Sequence, residues 1–452
     1  MRCDIGGGGC VRFMHLDVTG NVTGRVPRLG PTPSHCERVS SMPPRVTIIG
    51  LHFAPEPTGN APYTSSLAAG LAEKGWEVKV ITGFPHYPQW QVYDGYSGRV
   101  HRERHEGAEI LRLRQYVPRR PSLVTRTLLE LHFGLKAALT DWGDPDVVLL
   151  VSPAMFSTAL CALAAKLRHR GVPTVTWVQD LYSRGVEESH ASAAVIAPVM
   201  RAIEGAALSS ARRTIVIHDR FRQHVVDRLG VPGERVQVVR NWTHITPQNS
   251  VDRENVRLRL GWAPDRTVVL HAGNMGVKQG LDNVVEAARL AQEQDSSLQF
   301  VLMGDGNQRR HLEELGHGVA NLQFLDPLPN DEYAAALASA DVLLVNELAG
   351  VKDMSVPSKL TSYFVTGRPV LAAVEAESAT AGEVEASGAG RVVPSDDPRH
   401  LLRAAEEMSA DPAAATSLGA NGPAYATAHL TADAAMRRWD DVLRSLTQHV
   451  RR

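Results

Sequence analysis

Glycines and a lysine are concentrated in one short stretch near the middle of the chain, where they could bind a phosphate. Gly273, Asn274 and Gly276 follow an apolar run that is typical of a buried parallel strand. Lys278 comes next, and apolar residues at helical spacing begin at Leu281. Such a loop lets backbone N–H groups approach an anion closely, and the N-terminus of a helix favours negative charge. The stretch therefore predicts either a phosphate site for a nucleotide-linked substrate or an ordinary turn between a strand and a helix.

Further polar residues follow apolar runs in the first half of the chain. Gly59 and Asn60 lie in the loop after the first predicted strand, and His86 lies in the loop after the second. Asp180 comes shortly after a later apolar run, 173–178. The carboxyl ends of parallel strands face one crevice, so these residues are predicted to meet there. The alternatives are a loop or core position for His86 and a turn or helix-capping role for Asp180.

The composition indicates the class of protein. A chain of 452 residues is too long for one compact core, which predicts two or three domains. Hydrophobic residues make up 43% and charged residues 21%, as in soluble globular proteins, and the net charge of -1 gives no argument for a nucleic-acid partner. The four cysteines form no C-x-x-C pair, so we do not expect disulfides or structural zinc. We expect a cytoplasmic location instead.

Apolar runs alternate with helical patterns through most of the chain, which predicts an α/β fold of parallel βαβ units. Residues 1–43 contain a glycine run and no sustained period. We expect a disordered extension there, or a segment outside the functional protein, whose start would then be Met42. Two Rossmann-like domains are expected at 44–245 and 246–425, with a cleft between them as the natural site.

A basic helix with apolar residues is predicted at 118–139. A helix of this kind can lie on an anionic membrane surface, which would bring the protein to the inner face of the plasma membrane. The alternative is an ordinary domain helix with a solvated basic edge, and the pattern favours this second interpretation.

Three segments arrive in an order that is typical of one enzyme family. They are FAPEPTGNAPYT after the first strand, AGNMGVKQGL at the start of the second half, and VPSKLTSYFVTGRPVLA further on. Together they resemble the family 4 retaining glycosyltransferases with the GT-B fold, in particular bacterial enzymes of the colanic-acid and O-antigen type. The resemblance covers nearly all of residues 45–450. It implies two Rossmann-like domains facing a central cleft, with the acceptor bound by the N-terminal domain, the nucleotide sugar bound by the C-terminal domain, and a last helix (426–452) crossing back.

The resemblance also implies roles for particular residues. Lys278 matches a basic residue that faces the donor diphosphate. The backbone after Phe324 matches the segment that meets the base. The other positions that it implies for donor binding are Gly59, Asn60, Gly273, Asn274, Gly276, Gly304, Gly306, Pro357, Ser358 and Lys359.

The chain departs from the family pattern at the site. Met354 and Ser362 occupy the positions of a glutamate pair, and Glu347 nearby either substitutes for that pair or is an ordinary loop glutamate. Asn274 stands where the family has an arginine, and Gln179 stands where it has a histidine. Lys278 is therefore expected to be the main cation of the loop.

The implied reaction is transfer of a sugar from a nucleotide sugar to a saccharide or polyprenyl-linked acceptor, with retention of configuration. Leaving-group charge would be stabilised by Lys278, Lys359 and the Gly273–Gly276 backbone. We therefore expect a metal-independent reaction that needs no cofactor. His86 and Asp180 are the candidates for positioning the acceptor hydroxyl. The alternatives are a GT-B epimerase, a glycan phosphorylase, or a non-catalytic nucleotide-sugar-binding subunit of a membrane partner. A Rossmann dehydrogenase is disfavoured, because no G-x-G-x-x-G follows the first strand.

Overall fold

We analysed a computed structural model of the chain, which describes residues 42–57, 59–181, 197–243, 245, 251–350 and 358–447. Of the predicted disordered extension, 1–43, almost all lies outside the described residues, and so do Met354 and Pro357. Two sheets organise the described part of the chain.

The first sheet has the strand order β3-β4-β2-β1-β5-β6-β7-β8, parallel except for the antiparallel pair β3–β4 at one edge. Its central strands are almost continuously buried and mostly apolar, because helices cover both of their faces. The strands are β1 (Arg45–Ile49), β2 (Glu77–Gly83), β3 (Val100–His105), β4 (Ala108–Leu113), β5 (Val147–Ser152), β6 (Thr174–Val178), β7 (Arg213–Val216) and β8 (Val236–Val238). The helices among them are α1 (Ala61–Glu73), α2 (Leu123–Leu139), α3 (Met155–Arg168), α4 (Ala197–Ser209) and α5 (Asp219–Asp227).

The second sheet is parallel throughout, in the order β11-β10-β9-β12-β13-β14. Its strands are β9 (Thr267–Ala272), β10 (Leu298–Met303), β11 (Leu322–Leu325), β12 (Val342–Asn346), β13 (Val370–Ala373) and β14 (Gly390–Val393). The helices of this half are α6 (Arg253–Leu260), α7 (Asp282–Glu293), α8 (Arg309–Leu315), α9 (Asn330–Ser339), α10 (Ser358–Phe364), α11 (Ala379–Ser387), α12 (Pro398–Ala410), α13 (Pro412–His429) and α14 (Ala432–Thr447). The α/β expectation is confirmed, while the residue limits of the domains stay predictions.

Helix α2 begins at Leu123, five residues later than residue 118, where the sequence pattern placed its start. Ser122 and Thr125 form a capping box, in which the backbone N–H of Ser122 donates to Oγ1 of Thr125 at 2.8 Å and the N–H of Thr125 donates to Oγ of Ser122 at 3.3 Å. The reciprocal bonds satisfy two free N–H groups at this position and fix the start of the helix there.

The last described helix, α14, packs against the first sheet rather than the second. Trp439 is fully buried, and its ring lies 5.0 Å from that of Trp177 on β6. Nε1 of Trp76, at the start of β2, donates to Asp440 at 2.7 Å. The chain therefore returns to the first half after completing the second.

A buried ion cluster also joins the two halves. Glu383 on α11 contacts Nε2 of His218 at 3.0 Å and accepts from Nε of Arg240 at 3.2 Å and from the Tyr425 hydroxyl at 2.7 Å. Burial alone would raise the pKa of the Glu383 carboxyl, but these partners lower it to about 2. The carboxylate therefore stays charged between the sheets.

Candidate functional site

The glycine loop of the second half leaves the carboxyl end of β9 in a conformation that needs glycine. Gly273 has φ 129°, in the region that side chains rarely adopt. Oε1 of Gln279 then accepts from the backbone N–H of Gly276 at 3.0 Å and from Nδ2 of Asn274 at 3.3 Å. A short 3₁₀ turn, Val277–Gln279, separates this loop from α7. The loop is therefore braced by its own side chains.

A second glycine loop lies directly against the first. A Cβ on Gly304 would lie 1.9 Å from the carbonyl oxygen of Gly273, and one on Gly306 would lie 2.4 Å from that of Met275. The N–H of Met275 also donates to the Asp305 carbonyl at 2.8 Å. Both glycines predicted for donor binding thus have a packing reason: they let the two loops approach.

Lys359, in the first turn of α10, reaches the first loop. Its Nζ lies 3.1 Å from Nε2 of His271 on β9, and a Cβ on Gly273 would lie 3.8 Å from the same Nζ. Burial lowers the pKa of Lys359 to about 7, against the attraction of Glu347. The carboxylate of Glu347 in turn accepts from Oγ1 of Thr380 at 2.7 Å. Sequence reasoning identified Lys359 but missed His271, which the pattern offers only as one residue of an apolar strand.

Lys278 and Asp180 come from different sheets and interact. Lys278 is exposed in the 3₁₀ turn, and Asp180 lies just beyond the carboxyl end of β6. Burial raises the pKa of Asp180 to about 7, and the charge of Lys278 opposes that shift. The charge of Lys278, from the second half of the chain, therefore acts on Asp180 in the first half.

His86 belongs to a buried cluster whose other members sequence reasoning missed. Glu56 accepts from the backbone N–H groups of His86 and Tyr87, at 2.8 and 3.0 Å, and lies 2.6 Å from Nδ1 of His52. Burial lowers the pKa of His86, and its side chain has no exposed surface. The only sequence signal for Glu56 was a charged residue between two prolines, Pro55 and Pro57.

In this cluster the potential ligand atoms of His52, Glu56 and His86 all lie within 4.8 Å of one another. Two imidazoles and a carboxylate are ligands that zinc accepts. The protein already satisfies the carboxylate, since Glu56 receives two backbone N–H groups and faces both imidazoles. Through these hydrogen bonds Glu56 holds the loop after β2 against the loop after β1.

The remaining predicted residues differ in how far they are buried. Gly59 is exposed with φ 68°, and the carbonyl of Asn60 accepts from the N–H of Thr64 to start α1. Phe324 is half-buried, with the Arg309 guanidinium 5.4 Å from its ring centre. Ser358 is exposed at the start of α10.

Two positions that depart from the family pattern lie within the described residues. Ser362 is half-buried on α10, and Gln179 is buried at the end of β6, where its Oε1 accepts from Nδ2 of Asn241 at 2.8 Å. The one Asp-x-Asp sequence of the chain, Asp144-Pro145-Asp146, directly precedes β5, at the amino-terminal ends of the strands of the first sheet. There Asp146 accepts from the N–H of Arg45 at 2.8 Å. That acidic pair is engaged in the strand entry, away from the glycine loops.

Comparisons with known proteins match both halves of the chain. Residues 58–242 match the glycosyl transferase 4-like domain, and residues 266–411 match the glycosyl transferases group 1 family. A protein of Escherichia coli (strain K12) named as a colanic acid biosynthesis glycosyl transferase, WcaI, is 31% identical over 348 residues, covering 74% of this chain and 84% of that protein. The alpha-D-kanosaminyltransferase of Streptomyces kanamyceticus is 26% identical over 275 residues, covering 56% and 69% of the two chains.

Solved structures share the architecture at lower identity. The sucrose-phosphate synthase from Thermosynechococcus elongatus has a TM-score of 0.68 at 21% identity, covering 90% of this chain and all of that one. Anabaena HepE, solved in complex with UDP, has a TM-score of 0.64 at 16% identity, covering 89% and 100%. These likenesses show the fold. With both halves matched in order and a relative aligned over most of its length, the chain belongs to the family 4 glycosyltransferases and has their GT-B fold.

Proposed function

We propose that this glycosyltransferase moves a sugar from a nucleotide-sugar donor to a saccharide or polyprenyl-linked acceptor in cell-surface polysaccharide biosynthesis, with retention of configuration. The likeness to the colanic acid protein supports the process, and the likeness to HepE, solved with UDP and with UDP-glucose, supports the donor class. The observation that carries the proposal is the pair of stacked glycine loops with the Lys359 ammonium beside Gly273.

The site offers what departure of a nucleoside diphosphate needs. Negative charge grows on the diphosphate in the transition state, so cations and N–H donors fixed in advance lower the barrier. Lys359, Lys278 and the loop backbone would supply them, with Glu347 and Ser358 beside the donor. We propose that transfer needs no divalent ion on the diphosphate.

The acceptor would enter from the side of the first sheet, where the charge of Lys278 acts on Asp180. In a front-face reaction the leaving phosphate takes the proton of the acceptor hydroxyl, so the protein has to position that hydroxyl rather than deprotonate it. Asp180 can do so directly. Because His86 is buried, its contribution would pass through His52 and the loop that Glu56 holds.

A peripheral contact with the inner face of the plasma membrane is part of the proposal. No helix in the described ranges is long and apolar enough to cross a membrane. On α2, however, Val124, Leu128 and Leu139 are 68%, 51% and 70% exposed, beside the basic residues of the same segment. Co-sedimentation with phosphatidylglycerol vesicles tests the contact, and equal recovery without vesicles would refute it.

The function is tested by screening UDP-, GDP- and dTDP-sugars by thermal shift and then assaying transfer by mass spectrometry with and without EDTA. A donor at a hundred times its dissociation constant should stabilise the protein by about 2.7 kcal/mol. Absence of any shift would refute the donor assignment. A shift without transfer or donor hydrolysis would favour the non-catalytic subunit, and loss of transfer in EDTA would refute metal independence.

A further inference from the structure

Lys359 and His271 form a packed pair at the mouth of the first glycine loop. His271 is the fifth residue of β9 and has no exposed surface, and its Nε2 lies 3.1 Å from Nζ of Lys359. A Cβ on Gly273 would lie 3.7 Å from Cε and 3.8 Å from Nζ of that lysine. The strand and the loop therefore hold the amine from two sides.

The direction of the hydrogen bond follows from the chemistry of the two groups. A charged lysine has three N–H donors and no acceptor, so Nε2 of His271 must carry the lone pair. A proton on Nε2 would instead set two donors against each other, and a doubly protonated imidazolium would place two cations 3.1 Å apart in a partly buried position. Burial and the charge of Lys359 accordingly hold the pKa of His271 well below its ordinary value. Whenever Lys359 is charged, His271 is therefore its neutral acceptor.

Glu347 and Tyr363 are two other polar side chains near Lys359. Glu347, beyond the end of β12, attracts the ammonium, and its carboxylate accepts from Oγ1 of Thr380 at 2.7 Å. The hydroxyl oxygen of Tyr363, on the same helix as Lys359, accepts from the backbone N–H of Ala272 at 2.9 Å. Within the described ranges, no carboxylate forms an ion pair with Lys359.

We propose that His271 is a positioning residue that aims the Lys359 amine at the donor's diphosphate, and that Lys359 takes up a proton when the diphosphate binds. This inference rests on the proposed function and deepens it. The proton passes from solvent to Nζ, and the charge that it brings faces the bound anion, so affinity is linked to pH.

The sign of the linkage is fixed. Free Lys359, with a pKa of about 7, is about nine-tenths protonated at pH 6 and about one-tenth protonated at pH 8. An anion within a few ångströms raises that pKa, so binding takes up about 0.1 proton at pH 6 and about 0.9 at pH 8. The dissociation constant should rise about tenfold over the same range.

The experiment is isothermal titration calorimetry of the full chain with UDP, and with GDP and dTDP in parallel, in buffers of different ionisation enthalpy. The dependence of the observed heat on that enthalpy gives the number of protons taken up. The nucleotide's own terminal phosphate also titrates near pH 6, so Lys359→Arg serves as the reference, because an arginine is charged throughout and takes up no proton.

Variants separate positioning from a structural role. His271→Leu removes the acceptor, which should move the midpoint of proton uptake to lower pH and weaken binding at pH 8 by about tenfold or more. His271→Gln keeps an acceptor and should restore a midpoint near that of wild type. Lys278→Met should weaken binding without removing the pH dependence.

The outcomes are distinguishable. The inference is supported if the proton uptake of the wild type, after that of Lys359→Arg is subtracted, rises with pH and if its midpoint is shifted in His271→Leu. Binding with the same proton uptake in the wild type and Lys359→Arg overturns the inference but leaves the proposed function intact. A midpoint unchanged in His271→Leu overturns the role of His271. No binding of any of the three nucleotides overturns both.

Discussion

The polar residues of the site divide by how they are held. Lys278 is exposed and can move, whereas Lys359 is fixed against His271 and Gly273. A flexible cation loses conformational entropy when a ligand fixes its position, which weakens binding. A cation that is already fixed in the free protein loses little more. Lys359 is therefore expected to contribute more per contact with a bound diphosphate.

Substitution of either lysine by alanine should cost about a hundredfold or more in the rate of transfer, because each stabilises charge on the leaving group. Initial rates at saturating donor measure the effect. Lys166→Ala, an exposed lysine on α3 at a distance from the glycine loops, is the matched control and should keep the wild-type rate. Near-normal turnover in both Lys278→Ala and Lys359→Ala would refute the assignment.

At this scale the sequence reveals residues whose type is informative and hides those whose role depends on a distant partner. The glycines and Lys278 stand out because glycine, a cation and a strand end together suggest an anion site. His271 looks like one more residue of β9, since its partner Lys359 is 88 positions away. Glu56 looks like a loop residue, because the N–H groups that it accepts lie 30 and 31 positions on.

Among the elements, the strands and the loops between strand and helix can be predicted from the sequence, whereas the ends of the helices are predicted less accurately. Continuous apolar runs give the parallel strands, since burial on both faces leaves no other pattern. The predicted start of α2 is wrong because the capping box of Ser122 and Thr125 begins the helix after the proline-rich segment, not within it. The packing of α14 on the first sheet was implied only by family resemblance, because its apolar stripe does not say which surface it covers.

Helix α14 should be a large contributor to stability. Trp439→Ala removes a fully buried indole that packs on Trp177, which should lower the free energy of unfolding by about 3–5 kcal/mol. Chemical denaturation followed by fluorescence measures it. Arg437→Ala, on the exposed side of the same helix, should stay within about 0.5 kcal/mol of wild type. Equal stability of the Trp439 and Arg437 variants would show that α14 is not needed for the core.

For the whole molecule, the Glu383 cluster is a charged connection between the two halves. A carboxyl whose pKa is lowered on folding stabilises the folded state above its unfolded pKa, and that contribution is lost as pH falls. With a folded pKa of about 2, the contribution of Glu383 should be complete near neutral pH and lost between about pH 4.5 and 2.

Glu383→Gln should therefore flatten the acid side of the stability curve, removing about 3 kcal/mol of pH-dependent stability. Thermal melts between about pH 2 and pH 7 measure the difference from wild type. Glu385→Gln, an exposed neighbour on α11, is the control and should keep the wild-type curve. Parallel curves for wild type and Glu383→Gln would contradict the pKa of the buried carboxyl.

The return of α14 has a consequence for synthesis. The hydrogen bond from Trp76 to Asp440 closes a loop of 364 positions, and residues of α14 belong to the same apolar core as β1 and β2. A ribosome delivers β1 and β2 first and α14 long afterwards. The first half must therefore wait, with the surface that will receive Trp439 still open to water and to chaperones, until the second half has emerged. We therefore expect the nascent chain to be the form of this enzyme that is most prone to aggregation.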